Sequence, residues 1–105
     1  SWEDSYILSA SSRVKRCKFD IINKDYETLR ENFLIIYYDY KTDNVLFREL
    51  NQFIYTVIKR TNKNENLANI LEILCKENDI DFKEAKEVLQ EPLKELVFSK
   101  ALLKV

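Results

Sequence analysis

The hydrophobic period of this chain changes once, at Asn51. Upstream, the apolar residues form β-type stretches; downstream they recur at three- and four-residue spacing. Phe33-Leu34-Ile35-Ile36-Tyr37-Tyr38-Asp39-Tyr40 is dense in β-branched and aromatic residues that suit a pleated, half-buried surface. Both of its alternating sets are apolar, so each face of the sheet is expected to be covered over part of its length. Lys41-Thr42-Asp43-Asn44 reads as a tight turn, and Val45–Leu50 returns as the next strand of a hairpin. Phe19-Asp20-Ile21-Ile22 is read as the first strand. The predicted order β-β-β-α-α-α defines an α+β, winged-helix-like domain, with a three-stranded antiparallel sheet followed by three helices.

Each helix has a start signal. Asn51 caps a helix carrying Phe53, Ile54, Val57 and Ile58 on one face, with Lys59 and Arg60 in its last turn. After a polar loop from Thr61 to Glu65, Asn66 caps a second helix with Leu67, Ile70, Leu71 and Leu74 at core spacing. Asn78-Asp79 ends it. Asp81-Phe82-Lys83-Glu84 is a capping-box variant opening a third helix through Ala85, Val88, Leu89, Leu93, Leu96 and Val97. Pro92 inside that helix removes one ladder bond and is expected to kink it near Val88 or Leu89.

The 105 residues are too few for two cores, but enough to bury roughly two-thirds of the unfolded chain's surface. Residues 1–12, Ser-rich and non-periodic, read as a flexible N-terminal segment, and 13–105 as a single domain. Ser at position 1 and the absence of Met mark a processed, trimmed or excised piece. The longest apolar run, Phe33 to Tyr38, falls far short of the ~20 residues that span a bilayer, so no membrane association is expected.

Absences narrow the chemistry. Without His, there are no His-based triads, proton shuttles or His-containing metal sites. Without Gly, where about seven would be ordinary, there is no phosphate-cradling loop or dinucleotide fingerprint. Any turn that needs positive φ must then rely on Asn or Asp, as at Asp43-Asn44 and Asn78-Asp79. Cys17 and Cys75 have no neighbouring thiol in sequence; they read as reduced, small hydrophobes of a cytoplasmic protein, with a disulfide left open. Asp20, Asp25, Glu27, Asp39 and Glu49 are read as solvated or cross-strand structural groups rather than as catalytic pairs. No cofactor, no metal and no catalysis of its own are expected.

A winged-helix nucleic-acid-binding regulator is the alternative reading, and charge weighs against it. Over residues 81–95, five acids (Asp81, Glu84, Glu87, Glu91, Glu95) face three bases (Lys83, Lys86, Lys94), and the whole chain carries a formal charge of −1. The two Lys-rich patches are read as solvated surface rather than phosphate contacts, because acids at Glu27, Glu31, Glu65 and Glu72 are interleaved with them.

From Lys41 to Leu103 the chain resembles a particular family. Thr42 to Asn51 is similar to its pattern of turn, strand and a Leu-Asn pair opening the first helix. Phe53, Ile54 and Ile58, then Leu67, Ile70 and Leu74, match its apolar helix positions. Leu89, Pro92-Leu93, Leu96 and Leu102 resemble its closing pattern. The family is the PqqD-like peptide chaperones, the recognition elements for precursors of ribosomally made, post-translationally modified peptides. Three departures are visible: Pro92 replaces a large apolar residue, Lys100 stands where the family ends its third helix with Gly, and the loop from Asn23 to Asn32 is longer and more charged than the family's.

The resemblance implies a non-catalytic clamp. A precursor's leader peptide would add as a further strand to the open edge of 45–50, beside the third helix, for presentation to a separate or fused modifying enzyme. The implied peptide-binding residues are Val45, Leu46, Phe47, Arg48 and Glu49 on the strand. On the helix they are Lys86, Leu89, Gln90, Leu93, Lys94 and Val97. Leu89 and Leu93 suit plain core equally well. The aromatic strand at Tyr37, Tyr38 and Tyr40 leaves a homodimer open, and a purely structural piece of a larger enzyme is a third reading.

Overall fold

A computed structural model describes residues 2–61 and 65–105. In chain order the elements are β1 (Tyr6–Leu8), β2 (Arg13–Cys17), β3 (Asn32–Asp39), β4 (Asn44–Leu50), α1 (Gln52–Thr61), α2 (Leu67–Asn78), α3 (Phe82–Phe98) and β5 (Leu102–Lys104). The fold is α+β: an antiparallel sheet ordered β2-β3-β4, then three helices. A second, two-stranded sheet pairs β1 with β5.

The β3–β4 hairpin forms as expected, in the register Phe33↔Leu50, Ile35↔Arg48 and Tyr37↔Leu46. The first strand of the sheet lies elsewhere than expected. It is the basic segment Arg13–Cys17, paired as Val14↔Ile35 and Cys17↔Asn32, and not Phe19–Ile22. Cations are at home on an edge strand, where they discourage pairing with other chains. Phe19–Ile22 instead begins the β2–β3 connection. That loop is pinched shut by the Arg30 N–H on the Lys18 carbonyl at 2.8 Å, and by Asn32 Nδ2 on the Phe19 and Arg30 carbonyls at 2.7 and 2.8 Å.

The flexible lead-in expected for 1–12 is corrected as well. Tyr6–Leu8 pairs antiparallel with the C-terminal strand, Tyr6↔Lys104 to Leu8↔Leu102, and the Tyr6 ring belongs to the core. The same segment closes the start of α2: the carbonyls of Asp4 and Trp2 accept the Leu67 and Ala68 N–H groups at 3.1 and 2.7 Å. First-turn amides have no partner within their own helix, so this strap replaces water on them.

The three predicted caps are present. Asn51 Oδ1 accepts from the Ile54 amide at 2.8 Å, Asn66 Oδ1 from Asn69 at 2.8 Å, and Asp81 Oδ2 from Glu84 at 3.3 Å. The α1–α2 loop expected from Thr61 to Glu65 falls, at 62–64, outside the described residues. α3 continues through Pro92 to Phe98 as one helix. The helices pack Ile54, Val57, Ile58, Ile70, Leu71, Leu74, Ala85, Leu89 and Leu96 against Phe33, Ile35 and Leu50 of the sheet in one core. No helix among the described residues is long and apolar enough to cross a membrane.

Positive φ occurs at Lys24, Asp43, Asp79 and Lys100, with φ of 56°, 54°, 53° and 64°. Asp43 and Asp79 sit in the two turns where short polar side chains were expected. The two lysines are less suited to this region. Lys100 closes α3 with paired bonds, Ala101 N–H to the Leu96 carbonyl at 2.9 Å and Lys100 N–H to the Val97 carbonyl at 3.1 Å. This is the Schellman arrangement, and its left-handed position is the one glycine ordinarily fills.

Candidate functional site

β4 is a terminal strand of its sheet, and no other strand pairs with its outer edge among the described residues. Strand alternation sorts its side chains onto two faces. Leu50, Arg48 and Leu46 share the helix-facing side with Phe33, Ile35 and Tyr37, whereas Glu49, Phe47 and Val45 share the outer side with Leu34, Ile36 and Tyr38. Val45 and Phe47 are about half exposed, at 57% and 49%. Nearer the other end of that outer face, Arg30 of the β2–β3 loop donates to Glu49 Oε1 at 2.7 Å, and Leu34 is buried.

α3 runs beside this edge. The Arg48 guanidinium donates to the Glu95 carboxylate across the gap, and Lys41 Nζ from the β3–β4 turn stands 3.7 Å over the Phe98 ring. At 3.6 residues per turn, the flank of α3 that carries Glu95 also carries Val88 and Pro92. Val88 is 51% exposed. The Arg48–Glu95 pair thus joins β4 to this flank of α3, on which Val88 is exposed.

The helix residues expected beside β4 are distributed differently. Leu89 is fully buried and Leu93 nearly so, both in the core. Lys86, Gln90, Lys94 and Val97 lie on the flank roughly opposite Glu95, facing the N-terminal segment. Gln90, Leu93, Lys94 and Val97 line a cavity there with Trp2 and Tyr6, and Lys86 Nζ lies 5.7 Å from the Trp2 ring centre and 4.6 Å from that of Phe82. The five strand residues and these helix residues therefore do not form one groove.

From α3, Glu95 meets β4, and Val88 and Pro92 share its flank by helical spacing. One signal was available in the sequence. Ala85, Leu89, Leu93 and Leu96 already complete a core stripe, which leaves Val88 off it as an exposed apolar residue.

Other polar groups pair among themselves. Asn23 hydrogen bonds, from its side chain and then its backbone, hold the Asp20 carboxyl below its ordinary value, with Arg30 adding to the effect. Hydrogen bonds to Glu49 and then Asp20 push the Arg30 guanidinium up. Cys17 and Cys75 are free and buried, and burial followed by the charge of Asp81 pushes the Cys75 thiol up, away from a reactive thiolate. No group of three or more metal-binding side chains is assembled among the described residues. Four of the five arginines (Arg16, Arg30, Arg48 and Arg60) pair with carboxylates.

No protein-family model matches the chain, and no curated protein matches it either.

Proposed function

We propose that this chain is a peptide-recognition domain that takes the leader of a ribosomal precursor peptide as an added strand on β4 and presents it to a modifying enzyme, separate or fused, in the cytoplasm. The observation that carries the reading is the β4 edge, unpaired among the described residues and joined to α3 by the Arg48–Glu95 pair. An open strand edge is a template for an extended peptide, because its outward N–H and C=O groups accept a new ladder. The domain contributes no bond-making chemistry; its work is to order the peptide.

Backbone pairing alone is too weak. A six-residue partner makes about four to six ladder bonds, each worth a net ~0.5–1.5 kcal/mol. Ordering a flexible peptide costs several kcal/mol, and micromolar binding requires about 8 kcal/mol. Side chains must supply the difference. Val45, Phe47 and Val88 offer apolar contact, and Arg48 offers a cation that an acidic leader residue would take over from Glu95. A nucleic-acid role is disfavoured because most of the arginines are already committed to carboxylates.

The test is a titration of synthetic leader, from a precursor encoded beside this protein, into isotope-labelled domain. Amide shifts are expected at 44–50 and around 88–95 together, with binding weakened by Arg48→Glu. An unperturbed β4, or shifts confined to other surfaces, would overturn strand addition.

A further inference from the structure

A separate cavity of about 450 Å³ lies on the other flank of α3, between that helix and the N-terminal strap. This volume is in the range of small-molecule sites, which run from roughly 300 to 1,000 Å³. Its walls are mostly apolar: Trp2 and Tyr6 from the strap, Leu67, Leu102, and Leu93, Val97 and Phe98 from α3. The polar groups converge on one rim. Gln90 and Lys94 line the cavity four residues apart on α3. Lys86 continues the same row one turn earlier, with its Nζ 5.7 Å from the Trp2 ring. No carboxylate lines the cavity among the described residues.

A cavity with an aromatic wall, an aliphatic floor and a rim of N–H donors is complementary to a molecule that is apolar at one end and anionic at the other. We propose that it binds a small carboxylate with an aromatic or branched aliphatic body, the body against Trp2 and Val97 and the carboxylate toward Lys94 and Gln90. Net charge would not attract such a ligand, since the chain carries −1; the local row of donors on α3 does. Phe98 lines the cavity and also meets Lys41 of the β3–β4 turn, but no residue of β4 lines it, and binding there does not depend on strand addition.

Trp2 is the only tryptophan, so its fluorescence reports on this cavity directly. The probes are 4-phenylbutyrate and its uncharged counterpart 4-phenyl-1-butanol, titrated into the domain at neutral pH. The acid is expected to shift Trp2 emission saturably and to move the amides of 90–97. Lys94→Gln, an exposed substitution, should weaken the acid by about five- to tenfold and leave the alcohol unchanged. Val97→Phe, which fills the cavity, should abolish binding while far-UV circular dichroism stays native. Equal affinity for acid and alcohol, no response to either, unchanged acid binding in Lys94→Gln, or full binding by a folded Val97→Phe would each overturn the proposal.

Discussion

Replacing Lys100 by glycine measures what a chain without glycine gives up at a helix end. Lys100 holds φ at 64° while its N–H and that of Ala101 close the last turn of α3 on the Val97 and Leu96 carbonyls. An L-residue in the left-handed region costs about 1–2 kcal/mol through crowding of its Cβ against the carbonyl. Glycine escapes that cost but frees the unfolded chain, which returns about 0.4–1 kcal/mol. The Lys100 side chain is exposed, so its removal forfeits no core packing, and Leu96 and Ala101 keep the buried contact of the motif. The net expectation for Lys100→Gly is stabilisation by about 0.5–1 kcal/mol, or a Tm rise of roughly 2–8 °C for a domain of this size. Denaturant unfolding, followed by Trp2 fluorescence and far-UV circular dichroism, reads it out. Lys100→Ala retains the Cβ and should not share the gain. Ser99→Gly, one residue earlier at φ −78°, should destabilise by at least about 0.5 kcal/mol, since glycine there adds entropy loss and removes the Ser99 Oγ–H bond to the Leu96 carbonyl. If Lys100→Gly is no more stable than Lys100→Ala, the left-handed closure of α3 carries no strain and the reasoning fails.

Three further outcomes follow from the same geometry. Because the folded Asp20 carboxyl sits below its ordinary value, its stabilisation is complete above about pH 4 and fades as pH falls through the lowered value. Amide protection at Asn23 and Arg30, relative to the intrinsic exchange rate at each pH, should therefore fall in that acid window; an Asp20→Asn variant that keeps the same pH response would contradict this. Both cysteines should resist iodoacetamide at pH 8 in the folded protein and react fully in denaturant, Cys75 being protected by burial and by a raised thiol. Rapid native labelling of Cys75 would refute it. The Arg48–Glu95 pair leaves its side chains 33% and 56% exposed, so a double-mutant cycle should give a coupling of only about 0.2–1 kcal/mol, diminished by salt. A coupling several times larger would mean the pair locks β4 to α3 rather than merely joining them.

How much of this was legible depended on how far apart the interacting residues lie. Asn51, Asn66 and Asp81 could be read as caps because each bonds an amide three residues ahead. The β3–β4 hairpin was equally plain, since Asp43 turns the chain back on itself between two β-rich runs. β2 was missed because its assignment rests on pairs such as Arg13↔Ile36, across a long loop, while its own residues look like a charge cluster. β1 was missed for a stronger version of the same reason: three residues carry no period, and their partner is at the far end of the chain.

The proposed peptide site shows the same division. That β4 would be a strand next to a helix-rich half was written in the order of the periods. Which side of α3 meets β4 was not. A 3.6-residue period identifies the core stripe through Leu89, Leu93 and Leu96, but the two polar flanks on either side of it look alike from within the helix. Only the placement of Glu95 against Arg48, and of Lys86 against Trp2, assigns them. Local backbone preferences and side-chain spacing decide what each segment becomes, whereas its neighbours are chosen by long-range packing that brings the two ends of the chain together.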